Sequence, residues 1–192
     1  LSPSNIIRGL QMQNFSGSPL AILQHGGNII GGSRSVGSGP IGEGNIFIRS
    51  GYITLNGYTV TDNIIVGNNV GMEADGITPA GNKDGIQLRS FAARNVNGID
   101  RSEYRNLISA TSRDGISSMG YTYGNLIEGN YVGTDITGTH PFGNEGHGIN
   151  IECGFGSVIR NNVSCDNGRI GVLVGNEQSN FNVVIGNSLG LG

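Results

Sequence analysis

Residues 125–151 read "NLIEGNYVGTDITGTHPFGNEGHGINI", and residues 63–88 read "NIIVGNNVGMEADGITPAGNKDGIQL". Both stretches run from an Asn-led aliphatic string through Gly-Asn to a glycine-rich polar segment, and close on Gly-Ile. Self-similarity at a fixed period is the sequence signature of a repeat architecture. Strings led by Asn begin at Asn5, Asn63, Asn125 and Asn182, with shorter relatives at Asn28 and Asn106. A second class alternates apolar and other residues, beginning at Leu20, Ile53, Ile86, Ile116, Ile149 and Val172. Its members stand 33, 33, 30, 33 and 23 residues apart. Tandem hairpins need no such long, regular period.

The pattern predicts a coil. Each unit supplies three short strands, and each strand pairs in parallel with its equivalent one turn on, about 4.8 Å away. Inward positions then stack Ile on Ile and Val on Val, so every unit leans on its neighbours. The glycine-rich segments "GTDITGTHPFGNEG", "GMEADGITPAGNK" and "GGSRSVGSGPIGEG" lack apolar alternation and read as loops leaving the coil. Asparagine tolerates the left-handed backbone of a tight corner, and its amide can both donate and accept along a stack. One ladder is expected through Asn63, Asn125 and Asn182, and a second corner at Asn68 and Asn130. The expected fold is an all-β, right-handed parallel β-helix of about six to seven coils, with long loops on one side. Residues 1–192 form a single domain in this reading, as a fragment or module of a longer protein.

Composition agrees. Glycine makes up 35 of 192 residues and asparagine 23, while proline is only 5. Tight Ile and Val pairs separate this chain from a disordered Gly-rich one. With 13% charged residues and a net charge of −3, no basic stripe argues for nucleic acid. No apolar run approaches the roughly 18 residues of a membrane span. The chain opens at Leu1 without a basic and apolar leader, as expected of a mature product or a piece of something longer. Cys153 and Cys165 are too few for a disulfide framework and read as buried thiols.

The run N-x-I-x-G-N-Y-[IV]-G-T-D-x-x-G-T-x-x-x-G-N-x-G-x-G-I resembles the repeat of bacterial extracellular right-handed parallel β-helix proteins, broadly the pectate-lyase-like superfamily. "SNIIRGLQMQNFSGS" and "NIIGG…GEGNIFIRSG" resemble other parts of the same repeat, so the likeness covers nearly the whole chain. It implies the fold and an extracellular or cell-surface location. For activity it implies little, because such repeats occur in polysaccharide lyases, glycosidases, epimerases and adhesins alike. Gly146-His147-Gly148 matches the G-H-G of polygalacturonase-like enzymes, but no Asp-Asp pair and no R-I-K accompanies it. Neither an Arg base with a calcium carboxylate cluster nor a D-P-H run is recognisable.

One constellation follows from register. Aligning Gly85-Ile86, Gly115-Ile116 and Gly148-Ile149 places Asp84, Asp114 and His147 one above another on successive coils. Carboxylates one strand spacing apart raise one another's pKa, a pairing suited to acid and nucleophile roles in glycoside cleavage. These three are the candidate catalytic residues. Outward positions beside them carry Gln87, Ser117 and Asn150, then Arg89 and Glu152, of which Gln87, Arg89, Asn150 and Glu152 are candidate substrate-binding residues. The alternative is a plain loop end where any small polar group fits.

Other features carry weaker signals. Glu73, Asp75 and Asp135 invite calcium, without the spacing of a calcium loop; no metal site or other cofactor is otherwise indicated. Arg34, Lys83, Arg101 and Arg113 suit an acidic polysaccharide, and Tyr121, Tyr123 and Tyr131 a stacked sugar ring. The ends, "LSPSNIIRG" and "GNSLGLG", carry no capping element, which leaves three readings: a fragment of a longer coil, a product of processing, or self-association through the open coil edges. Two functions compete: a secreted or surface module that binds glycan or serves adhesion, and an enzyme that cleaves polysaccharide along the outer sheet.

Overall fold

The structure is a computed structural model describing residues 5–190. The first four and last two residues, and with them part of the expectation about the coil ends, lie outside the described residues. Among the described residues, twenty strands run in six full coils and the start of a seventh. The first is β1 (Ile6–Ile7), β2 (Gln11–Gln13) and β3 (Leu20–Ile22), the second β4 (Ile29–Gly31), β5 (Ile46–Ile48) and β6 (Ile53–Asn56). The third is β7 (Ile64–Val66), β8 (Asn69–Val70) and β9 (Ile86–Arg89), the fourth β10 (Val96–Asn97), β11 (Leu107–Ile108) and β12 (Ile116–Tyr123). The fifth is β13 (Leu126–Glu128), β14 (Tyr131–Val132) and β15 (Ile149–Phe155), the sixth β16 (Val158–Arg160), β17 (Val163–Ser164) and β18 (Val172–Gly175). Strands β19 (Val183–Ile185) and β20 (Ser188–Leu189) begin a seventh. Every third strand joins the same sheet, giving two seven-stranded sheets and one six-stranded sheet, all parallel. The fold is a parallel β-helix.

The spacing of the Gly-Ile class sets the register of the third sheet. Leu20, Ile53, Ile86, Ile116, Ile149 and Val172 are successive Cα partners. In the first sheet Ile30, Ile65, Ile127 and Ile159 lie inside one core with Ile53, Ile86, Ile116 and Ile149 of the third. Each buried aliphatic side chain contributes about 1.5–3 kcal/mol relative to exposure. Asn97 breaks this layer: it pairs with Ile65 and Ile127, is fully buried, and neither amide atom has a partner.

Asparagine ladders hold the corners. At the first, the Nδ2 groups of Asn5, Asn28, Asn63 and Asn95 each donate to the Oδ1 one coil on, reaching Asn125, over 2.7–3.1 Å. Ser157 interrupts this ladder, and its N–H donates to Asn182 Oδ1 at 2.9 Å. The second runs unbroken through Asn45, Asn68, Asn106, Asn130, Asn162 and Asn187 over 2.9–3.1 Å. Asn106 therefore belongs to the second corner, and Asn95 takes the fourth-coil place in the first. A third ladder, not expected from the repeat, links Thr111, Asn144 and Asn167.

The ladder asparagines do not adopt the left-handed backbone predicted for them. At the first corner the residue before the asparagine does: Asp62, Arg94, Gly124 and Phe181, before Asn63, Asn95, Asn125 and Asn182, have φ of 60°, 52°, 61° and 58°. That turn swings the next side chain inward, where Asn125 Nδ2 also reaches Ala92 O at 3.1 Å. The long loops also depart from expectation, leaving at two corners rather than one side. Residues 32–45 and 98–106 join the first sheet to the second, while 71–85 and 133–148 join the second to the third. Three of these loops have a ladder asparagine at or near their ends, Asn45, Asn106 or Asn144, and in the fourth Asn82 bonds back to Phe47 O and the Ser50 N–H one coil away. The ladder, not the loop, fixes where the chain re-enters the coil, so either corner tolerates insertion.

Candidate functional site

The residue before each Gly-Ile is set by the close approach of backbone to backbone. A Cβ on Gly85 would stand 2.0 Å from Gly115 O, and one on Gly148 would stand 2.6 Å from Gly171 O. Only glycine fits there, and the chain entering it must be a loop end. Gly85 N–H donates to Asp114 O at 3.0 Å and Gly115 N–H to His147 O at 2.9 Å. Asp84, Asp114 and His147 thus stand on three successive coils, in the expected column.

The column lies in a groove of about 610 Å³ on the outer face of the third sheet. Asp84, Asp114, His147, Gln87, Arg89, Asn150 and Glu152 all line it. Lys83, Arg113, Glu145 and Arg169, from the loops entering the sheet, complete its charged rim. Sequence reasoning missed Glu145 and Arg169; both sit in loop text where any polar residue is tolerated. None of these rim charges joins the ion pairs found among the described residues.

The floor is polar and partly unsatisfied. Asp114 accepts the His147 N–H at 2.8 Å and the Asn150 Nδ2 at 3.0 Å. His147 Nδ1 accepts the Ile170 N–H at 3.3 Å, which leaves the ring proton on Nε2. Asp84 is 4% exposed, and its Oδ2 has no partner. Burial pushes its carboxyl up, reinforced by Asp114 and opposed by Arg113 and the Gln87 amide. Ser117 Oγ and Asn150 Oδ1, on the next two coils, are likewise buried without partners. Each such atom costs about 1–3 kcal/mol. Asp84 and Asn150 line the groove, whereas Ser117 does not.

The other candidates separate. Glu73 pairs with Arg49, and Asp75 closes its own turn on Ile77 and Thr78. The Asp135 carboxylate accepts hydrogen bonds from Thr137, Thr139 and His140. The loop acids therefore do not converge on a calcium ion, and no group of three or more His, Cys, Asp or Glu suited to a metal occurs among the described residues. Lys83 and Arg113 reach the groove; Arg34 instead donates to Asn68 O, and its pKa is lowered to about 10 by burial and by Arg105. Tyr121 and Tyr123 lie together, but Tyr131 sits apart beneath Arg105, 4.3 Å from ring centroid to guanidinium carbon. Cys165 is buried and Cys153 half-buried; both are free thiols.

Asp135 fixes the loop that delivers Glu145 and His147. Burial raises its pKa, but the Thr137 hydroxyl and the Thr139 and His140 donors outweigh it, and the carboxyl is lowered to about 2. The same loop is tied to its neighbour by Ile136 N–H donating to Gly76 O at 2.9 Å. A depressed carboxyl pKa contributes stability above its unfolded value and loses it as pH falls. Asp135→Asn should therefore cost about 2 kcal/mol at pH 7. The difference from wild type should fade between about pH 4 and pH 2, as read by urea unfolding across that range.

No helix among the described residues is long and apolar enough to cross a membrane. No family model, no curated protein and no solved structure matches this chain, so the fold and the groove stand on the chain's own geometry.

Proposed function

We propose that the groove binds an extended saccharide chain and that the protein is an extracellular or cell-surface β-helix module. The observation that carries this reading is the groove itself, a polar trough that crosses three successive coils and is lined by Asp84, Gln87, Arg89, Asp114, Asn150 and Glu152. Neighbouring coils stand about 4.8 Å apart, and a saccharide presents hydroxyls that both donate and accept at each ring. The resemblance to pectate-lyase-like repeats supports the same class of ligand and the same location.

A second reading, cleavage of the bound glycan, is favoured by one observation. Asp84, kept protonated to higher pH than an ordinary carboxyl, stands one coil from Asp114, whose oxygens are held by His147 N–H and Asn150. That difference in environment suits a proton donor beside a second carboxylate. Asp84 would protonate the glycosidic oxygen, with Asp114 facing the ring carbon.

Affinity electrophoresis and reducing-end release against neutral and uronate polysaccharides test both readings together. The wild type should be retarded by at least one glycan. Asp84→Asn, Asp114→Asn and Asn150→Ala should each weaken that retardation at least tenfold. Release by the wild type but not by Asp84→Asn would establish cleavage. Retardation unchanged in all three variants would remove the groove from consideration.

A further inference from the structure

A second concavity lies where the third sheet turns back toward the first, and shares no lining residue with the groove. It encloses about 490 Å³ between Phe91, Tyr121, Tyr123, Cys153, Phe155, Gln178 and Asn180. Its backbone turns at one corner of the coil. Phe91, Tyr121, Cys153 and Asn176 have φ of 69°, 63°, 56° and 66°, the same left-handed turn found at Asp62, Arg94 and Phe181.

The four residues form one column along the coil axis. Phe91 N–H donates to Gly120 O at 2.9 Å, which sets Phe91 beside Tyr121. Cys153 falls between the partners of Met119 and Thr122, and so stands opposite Gly120 and Tyr121. Glu152 pairs with Gly175, which brings Asn176 beside Cys153. The rings of Phe91 and Tyr121 stack at 5.6 Å with 15° between their planes. On the next coil the stack stops, because the residue is Cys153. Asn176 Nδ2 donates to its sulfur at 3.0 Å, holding the small thiol in place. Phe155 is fixed beside it by an edge-on contact with Phe181 at 5.2 Å and 66°. Phe91, Tyr121, Tyr123 and Phe155 remain 40–55% exposed.

The gap is one coil deep, about 4.8 Å, which matches the 4.5–7 Å separation of stacked rings. We propose that this notch is a binding site for a planar aromatic group, which completes the ring column by stacking on Tyr121 above the Cys153 thiol. A flat ring fits the missing layer, whereas a puckered ring of the same size does not stack. The Gln178 and Asn180 amides at the margin supply hydrogen bonds to a polar substituent such as a phenolic hydroxyl. The proposal does not rest on the saccharide reading of the groove.

Saturation-transfer NMR with phenol, and with cyclohexanol as its non-planar counterpart, tests the site on the intact chain. Phenol should show saturation transfer and cyclohexanol at least fivefold less. Cys153→Phe places a third ring in a backbone conformation that Phe91 and Tyr121 already adopt. It should reduce the phenol signal at least fivefold while circular dichroism and Tm stay near wild type. Tyr121→Ala, at an exposed position, should do the same. Equal signals from phenol and cyclohexanol, or a phenol signal unchanged in a folded Cys153→Phe protein, would overturn the proposal.

Discussion

Asn68→Ala should destabilise the protein by about 4 kcal/mol, one of the largest losses available to a single polar substitution here. Its Nδ2 donates to Ile30 O, Val66 O and Asn106 Oδ1, all at 3.0 Å, and its Oδ1 accepts both the N–H and the Nδ2 of Asn45. Alanine would remove these five hydrogen bonds, at about 0.5–1.5 kcal/mol each, and leave the buried Asn45 N–H without its acceptor, while Val66 O keeps the Gly32 N–H and Asn45 Nδ2 keeps Ile7 O. The loss should diminish along the ladder. Asn187, at its partly exposed end, donates to Ile159 O and accepts from Asn162. Asn187→Ala should cost about 1 kcal/mol, because water replaces the lost partners. Urea unfolding of the two variants gives the comparison, and equal losses would mean that the ladder does not act through burial.

Asn97→Val should move stability the other way, by about 2 kcal/mol, or roughly 5 °C in Tm. Asn97 holds the position that Ile65 and Ile127 hold on adjacent coils, and its amide is sealed among them without a hydrogen bond. Valine suits a strand, adds apolar contact and removes two orphaned groups. The backbone carbonyl of Asn97 still accepts Asn130 Nδ2 at 2.8 Å, so the neighbouring ladder is untouched. A Tm at or below wild type would show that the amide has a buried partner. The two asparagines have the same composition and opposite consequences, because one faces the corner and the other the core.

That contrast marks how far the sequence could be read. The apolar-x-apolar spacings of 33, 33, 30, 33 and 23 residues carried the third-sheet register without error, since a one-residue slip would turn the inward aliphatic side chains outward. Asn106 reads as a short relative of the Asn5-type strings yet stands at the second corner, because Asn-Leu-Ile fits either class and only pairing with Asn69-Val70 tells them apart. Asn95 and Ser157 were missed for the converse reason: Asn-Val-Asn and Ser-Val-Ile lack the full signature. The Asp84–Asp114–His147 column was legible because it is a fixed offset from Gly-Ile. The rim residues Glu145 and Arg169 were not, since loop length decides what meets the groove. The aromatic notch was half visible, as Tyr121 and Tyr123; Phe91 and Phe155 lie 30 and 34 residues from Tyr121 and join it only through coil pairing.

The central claim is that the groove keeps a polar floor the fold itself does not satisfy, and Asp84→Asn tests it most directly. An acid whose folded pKa is raised binds more protons folded than unfolded, so its contribution to stability falls as pH rises through that interval and stays lower above it. The asparagine variant escapes this loss. Unfolding measured from pH 3 to pH 8 should find Asp84→Asn more stable than wild type by about 1 kcal/mol at pH 7. The two should converge toward pH 3, while the variant's retardation by the bound glycan is lost. A variant less stable than wild type at pH 7, with its glycan retardation intact, would contradict the account and make Asp84 a structural residue of the coil.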